Sequence, residues 1–196
     1  MSTTPNVKPA FQTKPPTMVL ITSPAVYNPS DYPNKPAVFL AGGISGCPDW
    51  QKSLHAFLIH LNDECVLLNP RRVLFDETVI GAKPEQIVWE HRHLQKADAI
   101  SFWFPEETLC PITLFELGKW LQHGSKKIFI GCHPKYARKL DVIVQTALCN
   151  PNILVVNSLE ELTTQITTWV RNTRRCREQE AEECNYDPRL YACNKV

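Results

Sequence analysis

Glu116 is the residue whose type and position most strongly suggest chemistry. It lies in the run 111–118, PITLFELG, which follows the apolar segment 99–104 and a proline-containing loop. Apolar residues recur after it at helical spacing and stop at Gly124, so the pattern predicts a carboxylate in about the first turn of a helix that follows a buried strand. A helix N-terminus favours the ionised carboxylate. Glu116 is therefore either a capping residue or a covalent nucleophile toward a sugar carbon.

Glycines and polar residues follow the first two predicted core strands, at the edge where open α/β sheets bind ligands. Gly42, Gly43 and Ser45 follow the first strand, where they either bring the backbone close to a ligand or form a tight turn. Asn69 and the run 70–72, PRR, follow the second strand and either bind sugar or base hydroxyls or form a turn with solvated arginines. The glycines lack the spacing of a dinucleotide-binding fingerprint.

A second carboxylate, Glu90, lies beside Trp89 in a predicted helix that leads into the third core strand. A charged residue at such a position belongs either to the solvated surface or to a functional site. Arg138 and Asp141 follow the fourth strand, in a predicted loop that can reach a site in this subunit or in a neighbouring one.

Short apolar runs that alternate with helical patterns must position these residues. The predicted strands are 38–41, 65–68, 99–104, 127–130 and 153–156, and the predicted helices are 50–61, 84–97, 113–123, 136–148 and 159–170. This alternation predicts a five-stranded parallel sheet with helices on both faces. Residues 1–36 form a Pro-rich arm with a candidate edge strand at 18–21, residues 37–170 form the domain, and residues 171–196 form a charged tail, helical or frayed.

Composition excludes several classes of protein. The 196 residues suit one domain, and a net charge of +1 gives no electrostatic case for nucleic acid or an anionic membrane. No apolar run approaches the roughly 20 residues that span a bilayer, and the first 16 residues lack the apolar core of a signal peptide. The eight cysteines show no paired metal-ligand spacing, so we expect mostly buried thiols and no metal site. We therefore expect a soluble, cytoplasmic protein.

Three motifs in order carry a family resemblance. The first motif is the run 39–43, FLAGG. The second is Trp89-Glu90 together with the run 97–99, ADA, whose Asp98 follows Glu90 by eight residues. The third is the run 115–118, FELG. Together they resemble the nucleoside 2-deoxyribosyltransferase family over roughly residues 37–170. The resemblance implies a flavodoxin-like fold and cleavage of the N-glycosidic bond of a 2′-deoxynucleoside, with no metal or organic cofactor.

The same resemblance assigns roles to individual residues. It implies that Glu116 is the nucleophile, which forms a covalent deoxyribosyl-enzyme, and that Glu90 is the acid/base group. It implies a pocket framed by Gly42, Gly43 and Ser45, and a homo-oligomer in which Asp141 enters the site of a neighbouring subunit. Asp98 is expected to be structural and to bond backbone at the junction between helix and strand.

Three positions differ from the family's usual residues. Phe39 stands where relatives often have Tyr, and Cys110 stands where they have Asp or Ser, so base recognition is expected to shift to Thr108 or Thr113. Ser45 stands where the branch that hydrolyses deoxynucleoside monophosphates has an arginine, which favours a nucleoside substrate.

Three main functions remain open from the sequence, and no feature favours a further one, an NAD-consuming glycosidase. The first is transfer of the deoxyribosyl group to an acceptor base. The second is hydrolysis of deoxynucleosides or their monophosphates by an N-glycosidase. The third is a non-catalytic module that binds nucleosides or nucleotides, because a fold alone does not establish an activity.

Overall fold

Six strands alternate with five α-helices in the computed structural model, which describes residues 18–61, 64–74 and 78–184. The strands are β1 (Val19–Thr22), β2 (Ala37–Gly42), β3 (Val66–Asn69), β4 (Ala99–Phe104), β5 (Lys127–Cys132) and β6 (Val155–Val156). The helices are α1 (Trp50–His60), α2 (Ala82–Lys96), α3 (Pro111–His123), α4 (Lys139–Cys149) and α5 (Leu159–Cys184). Every predicted core strand and helix is present.

The sheet is parallel throughout, in the order β1-β3-β2-β4-β5-β6. Without β1 this is the flavodoxin-like order, so the predicted α/β fold is confirmed. The sheet has six strands rather than five because the candidate edge strand of the arm forms and pairs with β3. The chain adds β3 on one side of β2 and β4 on the other, so the direction of strand addition reverses between β2 and β4. In open α/β sheets, ligands bind at such a switch point.

Alternate side chains of each strand enter two hydrophobic cores, one on each face of the sheet. Val38 and Leu40 of β2 face the core that α1 and α5 cover, whereas Phe39 and Ala41 face the core that α2, α3 and α4 cover. The strands are apolar at nearly every position because both of their faces are buried.

Asp98 holds the junction between α2 and β4 to the start of β2. Its Oδ2 accepts a hydrogen bond from the Ala37 amide at 2.7 Å, and its own amide donates to the Ala37 carbonyl at 2.9 Å. The structural role predicted for Asp98 is confirmed. Arg177 donates to the other carboxylate oxygen of Asp98 at 2.8 Å.

Helix α5 continues as one helix across the predicted boundary at Val170. Its polar extension is held by the Arg177–Asp98 pair and by an ion pair of 3.2 Å between Arg174 and Glu64. Residues 1–17 of the predicted arm and residues 185–196 of the predicted tail lie outside the described residues.

The six cysteines whose side chains the structure describes are free thiols in different surroundings. Cys65, Cys110 and Cys132 are buried as predicted, whereas Cys47 is half-buried in the loop after β2 and Cys149 is exposed. Cys149 is an exception to the expectation of mostly buried thiols, because it ends α4 on the solvent side, where Gln122 donates a hydrogen bond to its sulfur. Within the described ranges, no helix combines the length and the apolar character needed to cross a membrane.

Candidate active site

A cavity of about 260 Å³ lies at the switch point, between the end of β2 and the helices α2 and α3. It brings together seven of the residues singled out from the sequence: Phe39, Gly42, Gly43, Ser45, Glu90, Cys110 and Glu116. The rest of the lining is mostly apolar or small: Ala41, Ile44, Pro70, Thr108, Pro111, Ile112 and Thr113. Two carboxyl groups therefore share one largely apolar cavity.

Glu116 lies in the second turn of α3, not in the first. The helix begins at Pro111, because proline suits the first helical position and Cys110 before it has a positive φ of 48°. Among the described residues none donates a hydrogen bond to the Glu116 carboxylate, which argues against a capping role.

Burial, rather than the helix terminus, sets the charge state of Glu116. Burial raises its pKa to about 7, the negative charge of Glu90 adds to the rise, and Lys119 opposes it. The expectation that the helix N-terminus favours the ionised form is therefore wrong, because that effect fades beyond the first turn.

Glu90 is brought to the same cavity by α2. Burial also raises the pKa of Glu90, and this rise is opposed by a hydrogen bond from Gln86 and by the charge of Arg72. Gln86 Nε2 donates to Glu90 Oε1 at 2.8 Å. Sequence reasoning missed Gln86, whose one sequence signal is its position four residues before Glu90 on the same helix face.

The loop after β2 forms the floor of the cavity and is tied to the protein. A Cβ on Gly42 would lie 2.5 Å from the Trp50 ring and 2.6 Å from the Trp103 carbonyl oxygen, so glycine is needed there for packing. The Gly43 carbonyl accepts hydrogen bonds from Trp50 Nε1 at 2.9 Å and from Arg71 at 3.2 Å. The loop that lines the cavity together with the two carboxyl groups is therefore held in place.

Asn69 and the arginines after it support the loops rather than line the cavity. Asn69 Oδ1 accepts from the Arg71 amide at 3.0 Å. The Arg71 guanidinium bonds Gln51 at 2.9 Å and the Pro48 carbonyl at 3.1 Å, and the Arg72 guanidinium bonds Gln86 at 2.7 Å. The alternative of solvated arginines is wrong, because both guanidinium groups bind protein acceptors.

Asp141 and Arg138 do not reach the cavity of their own chain. Asp141 lies in the first turn of α4 rather than in a loop, and it forms an exposed ion pair of 3.6 Å with Arg138, which caps that helix.

The side chains that the sequence suggests for recognition of a base offer few strong hydrogen-bonding groups. Phe39 is buried and packs against Trp89, with ring centroids 6.1 Å apart. Burial raises the pKa of the Cys110 thiol to about 12, which keeps it neutral. Thr108 and Thr113, the predicted substitutes, both line the cavity. In the part of the chain that the structure describes, no cluster of three His, Cys, Asp or Glu side chains is arranged to hold a metal ion.

Comparison with protein families agrees with this geometry. Residues 35–136, more than half of the chain, match the family described as nucleoside 2-deoxyribosyltransferase like. The chain belongs to this nucleoside 2-deoxyribosyltransferase-like family. The resemblance drawn from the motifs is thus confirmed, and the matched segment contains both cavity carboxylates but ends before Asp141. A comparison with curated proteins finds no match.

We predict that Glu116→Gln stabilises this deoxyribosyltransferase-like chain at alkaline pH. The pKa of Glu116 is raised from 4.5 to about 7 on folding, so the folded chain binds the proton more tightly. Stability is therefore lost as the pH rises from about 4.5 to about 7, and the whole loss is present above that window. The variant should gain on the order of 1–3 kcal/mol at pH 8 and little at pH 4.

Urea unfolding of the wild type and the variant at both pH values measures this gain. Glu160→Gln, on the solvent side of α5, is the matched control and should change little at either pH. If the variant differs from the wild type by the same free energy of unfolding at both pH values, the pKa of Glu116 is not raised on folding.

Proposed function

We propose that the protein cleaves the N-glycosidic bond of 2′-deoxynucleosides through a covalent deoxyribosyl-Glu116 intermediate and transfers the sugar to an acceptor base. The observation that carries the proposal is the pairing of Glu116 and Glu90 in one cavity at the switch point. N-glycosidic cleavage needs both a nucleophile for the sugar carbon and a proton for the departing base. Residues 37–170, which contain most of the family match, are the proposed catalytic domain.

Each carboxyl group has a distinct part in the proposed reaction. The ionised Glu116 attacks C1′ of the deoxyribose, the C1′–N bond breaks, and its electron pair leaves with the base. Glu90 gives its proton to that base. A second base, or water, then attacks C1′, loses a proton to Glu90 and releases the Glu116 carboxylate.

The electrostatics of the pair supply the single proton that the reaction needs. Burial, with the charge of Glu90 adding to it, raises the pKa of Glu116 to about 7, so the free pair keeps a proton on Glu116 up to about neutral pH. Movement of that proton from Glu116 to Glu90 produces the nucleophile and the acid together. The mostly apolar lining lowers the local polarity of the cavity, which strengthens the interactions between charges in it.

The lining of the cavity itself favours a nucleoside over a nucleoside monophosphate. Arg71 and Arg72 are engaged by protein acceptors, and neither lines the cavity. Ser45, at the position where an arginine is expected for a monophosphate, lines the cavity with a hydroxyl group instead. Within the cavity a phosphate would therefore lack a charge-assisted partner, and the cations Lys52, Arg71 and Arg72 line a neighbouring pocket that shares Ile44 and Ser45 with the cavity.

Product analysis tests the proposed reaction. The protein is incubated with a panel of 2′-deoxynucleosides and a free acceptor base, and the products are separated chromatographically. We expect a new nucleoside from the wild type and from Glu160→Gln, and a rate at least about 1,000-fold lower from Glu116→Gln, because the nucleophile is lost.

Other outcomes would contradict parts of the proposal. Free base and free deoxyribose without a new nucleoside would make the protein a hydrolase rather than a transferase. Binding of a deoxynucleoside with no turnover of any panel member would make it a binding module.

An exposed apolar surface beside the cavity supports the proposed homo-oligomer. We name it the α3–α4 strip: Ile112, Phe115, Leu140, Val144 and Leu148, which are between 45% and 76% exposed. Ile112 also lines the cavity, so the strip reaches the cavity mouth. Asp141 shares a face of α4 with Val144 and Leu148, at spacings of three and seven residues. A second copy packed strip to strip would bring its Asp141 toward this cavity.

Mixing two inactive variants tests whether sites are shared. We expect Asp141→Ala and Glu116→Gln each to be inactive or strongly impaired. In a two-fold dimer, an equimolar mixture should regain about a quarter of the wild-type activity, because half of the dimers then contain one intact site.

Leu148→Glu should convert the dimer to a monomer, as measured by analytical ultracentrifugation, and should prevent the recovery of activity. A wild-type monomer, or full activity of Asp141→Ala, would refute the shared site.

A further inference from the structure

Gln86 is the most completely bonded polar side chain near the cavity, although it does not line it. Its Nε2 donates to Glu90 Oε1 and to the Pro70 carbonyl, each at 2.8 Å. Its Oε1 accepts from Arg72 Nε at 2.7 Å and from Ser23 Oγ at 2.8 Å. Two donors and two acceptor positions are all that an amide side chain offers, so every one is used.

The partners leave the amide only one orientation. The Pro70 carbonyl can only accept a hydrogen bond, and Arg72 can only donate one. The NH₂ group must therefore face Pro70 and Glu90, while the oxygen faces Arg72 and Ser23. Ser23 is itself buried, with its amide bonded to the Asn69 carbonyl at 3.0 Å, so the network is anchored on β1 and β3 as well as on α2.

This fixed orientation restricts where Glu90 carries a proton. Oε1 of Glu90 accepts from an N–H group that cannot reverse its direction, and the carbonyl oxygen of a carboxylic acid is a better acceptor than its hydroxyl oxygen, so a proton on Glu90 is favoured on Oε2. Within the described residues, Oε2 has no hydrogen-bond partner, and Glu90 lines the cavity. The oxygen that carries the proton is thus the one available to a ligand.

We propose that Gln86 is a positioning residue that orients Glu90 and favours its proton on Oε2, the oxygen available to a departing base. This inference rests on the proposed function for its kinetic consequence, but the effect of Gln86 on Glu90 is independent of any activity. Gln86 also donates to Pro70, another residue of the cavity wall, so one side chain fixes two parts of the site.

Two substitutions separate this role from simple support of the fold. Gln86→Met removes the hydrogen bonds while keeping a side chain of similar length. Gln86→Glu keeps the acceptor for Arg72 and Ser23 but replaces the donor to Glu90 with a like charge. Gln95→Glu, at an exposed position of the same helix, is the matched control.

Titration of Glu90 is the first measurement, followed by carbon-13 NMR of its side-chain carboxyl and assigned with Glu90→Gln. We expect its midpoint to rise by about one pH unit or more in Gln86→Glu, and to rise less in Gln86→Met, because the ionised form loses a donor in both. Gln95→Glu should leave the midpoint unchanged. An unchanged midpoint in both Gln86 variants would overturn the proposal, whatever the protein's activity.

Deoxynucleoside turnover is the second measurement. We expect kcat to fall about 10- to 100-fold in Gln86→Met with KM changed less than about threefold, since misplacement of a catalytic group affects mainly the chemical step. Part of the activity of Gln86→Glu should return at acidic pH, because the introduced carboxyl donates again once it is protonated. A proportional loss at every pH in both variants, matched by lower thermal stability, would assign Gln86 a structural role only. Absence of turnover in the wild type would refute the proposed function and leave the titration result to decide the role of Gln86.

Discussion

The site depends on the burial of two carboxyl groups in one cavity. Glu90 and Glu116 come from different helices, burial raises the pKa of both carboxyl groups, and the charge of Glu90 raises the pKa of Glu116 further. The surrounding protein lowers these pKa values only in part. The hydrogen bond from Gln86 and the charge of Arg72 act on Glu90, and the charge of Lys119 acts on Glu116. A proton is therefore retained by the pair to about neutral pH. The proposed reaction needs one ionised carboxylate as the nucleophile and one protonated carboxyl group as the acid, so the pair must hold one proton.

The parallel sheet supplies the rigidity that this arrangement needs. The chain order reverses between β2 and β4, so the ends of these strands diverge and leave a crevice that α2 and α3 border. The Gly43 carbonyl is bonded by both Trp50 and Arg71, which fixes the loop below the carboxyl groups. Arginines that looked suited to substrate binding hold loops in place instead. Under the proposed function, base recognition is then left to weak groups such as the neutral Cys110 thiol and the hydroxyls of Thr108 and Thr113.

Hydrophobic periodicity was sufficient to predict the order of the strands and helices and the edge at which Glu116 lies, because these depend on local pattern and on parallel connections. It was not sufficient for contacts that join distant segments. The role of Gln86 depends on Ser23, which is 63 residues away in the chain. The polar part of α5 beyond Val170 has no apolar stripe, and the partners that hold it, among them Asp98, come from other elements. The helix dipole argument for Glu116 failed because local position does not report burial.

The central claim is that Glu116 forms a covalent bond to the sugar. The most direct test mixes the protein with a 2′-deoxynucleoside, stops the reaction within milliseconds to seconds, and measures the masses of its proteolytic peptides. The account predicts one deoxyribosyl group on the peptide that contains Glu116, and its disappearance when an acceptor base is added before the reaction is stopped. Release of the base at the normal rate with no sugar on that peptide at any time would contradict it.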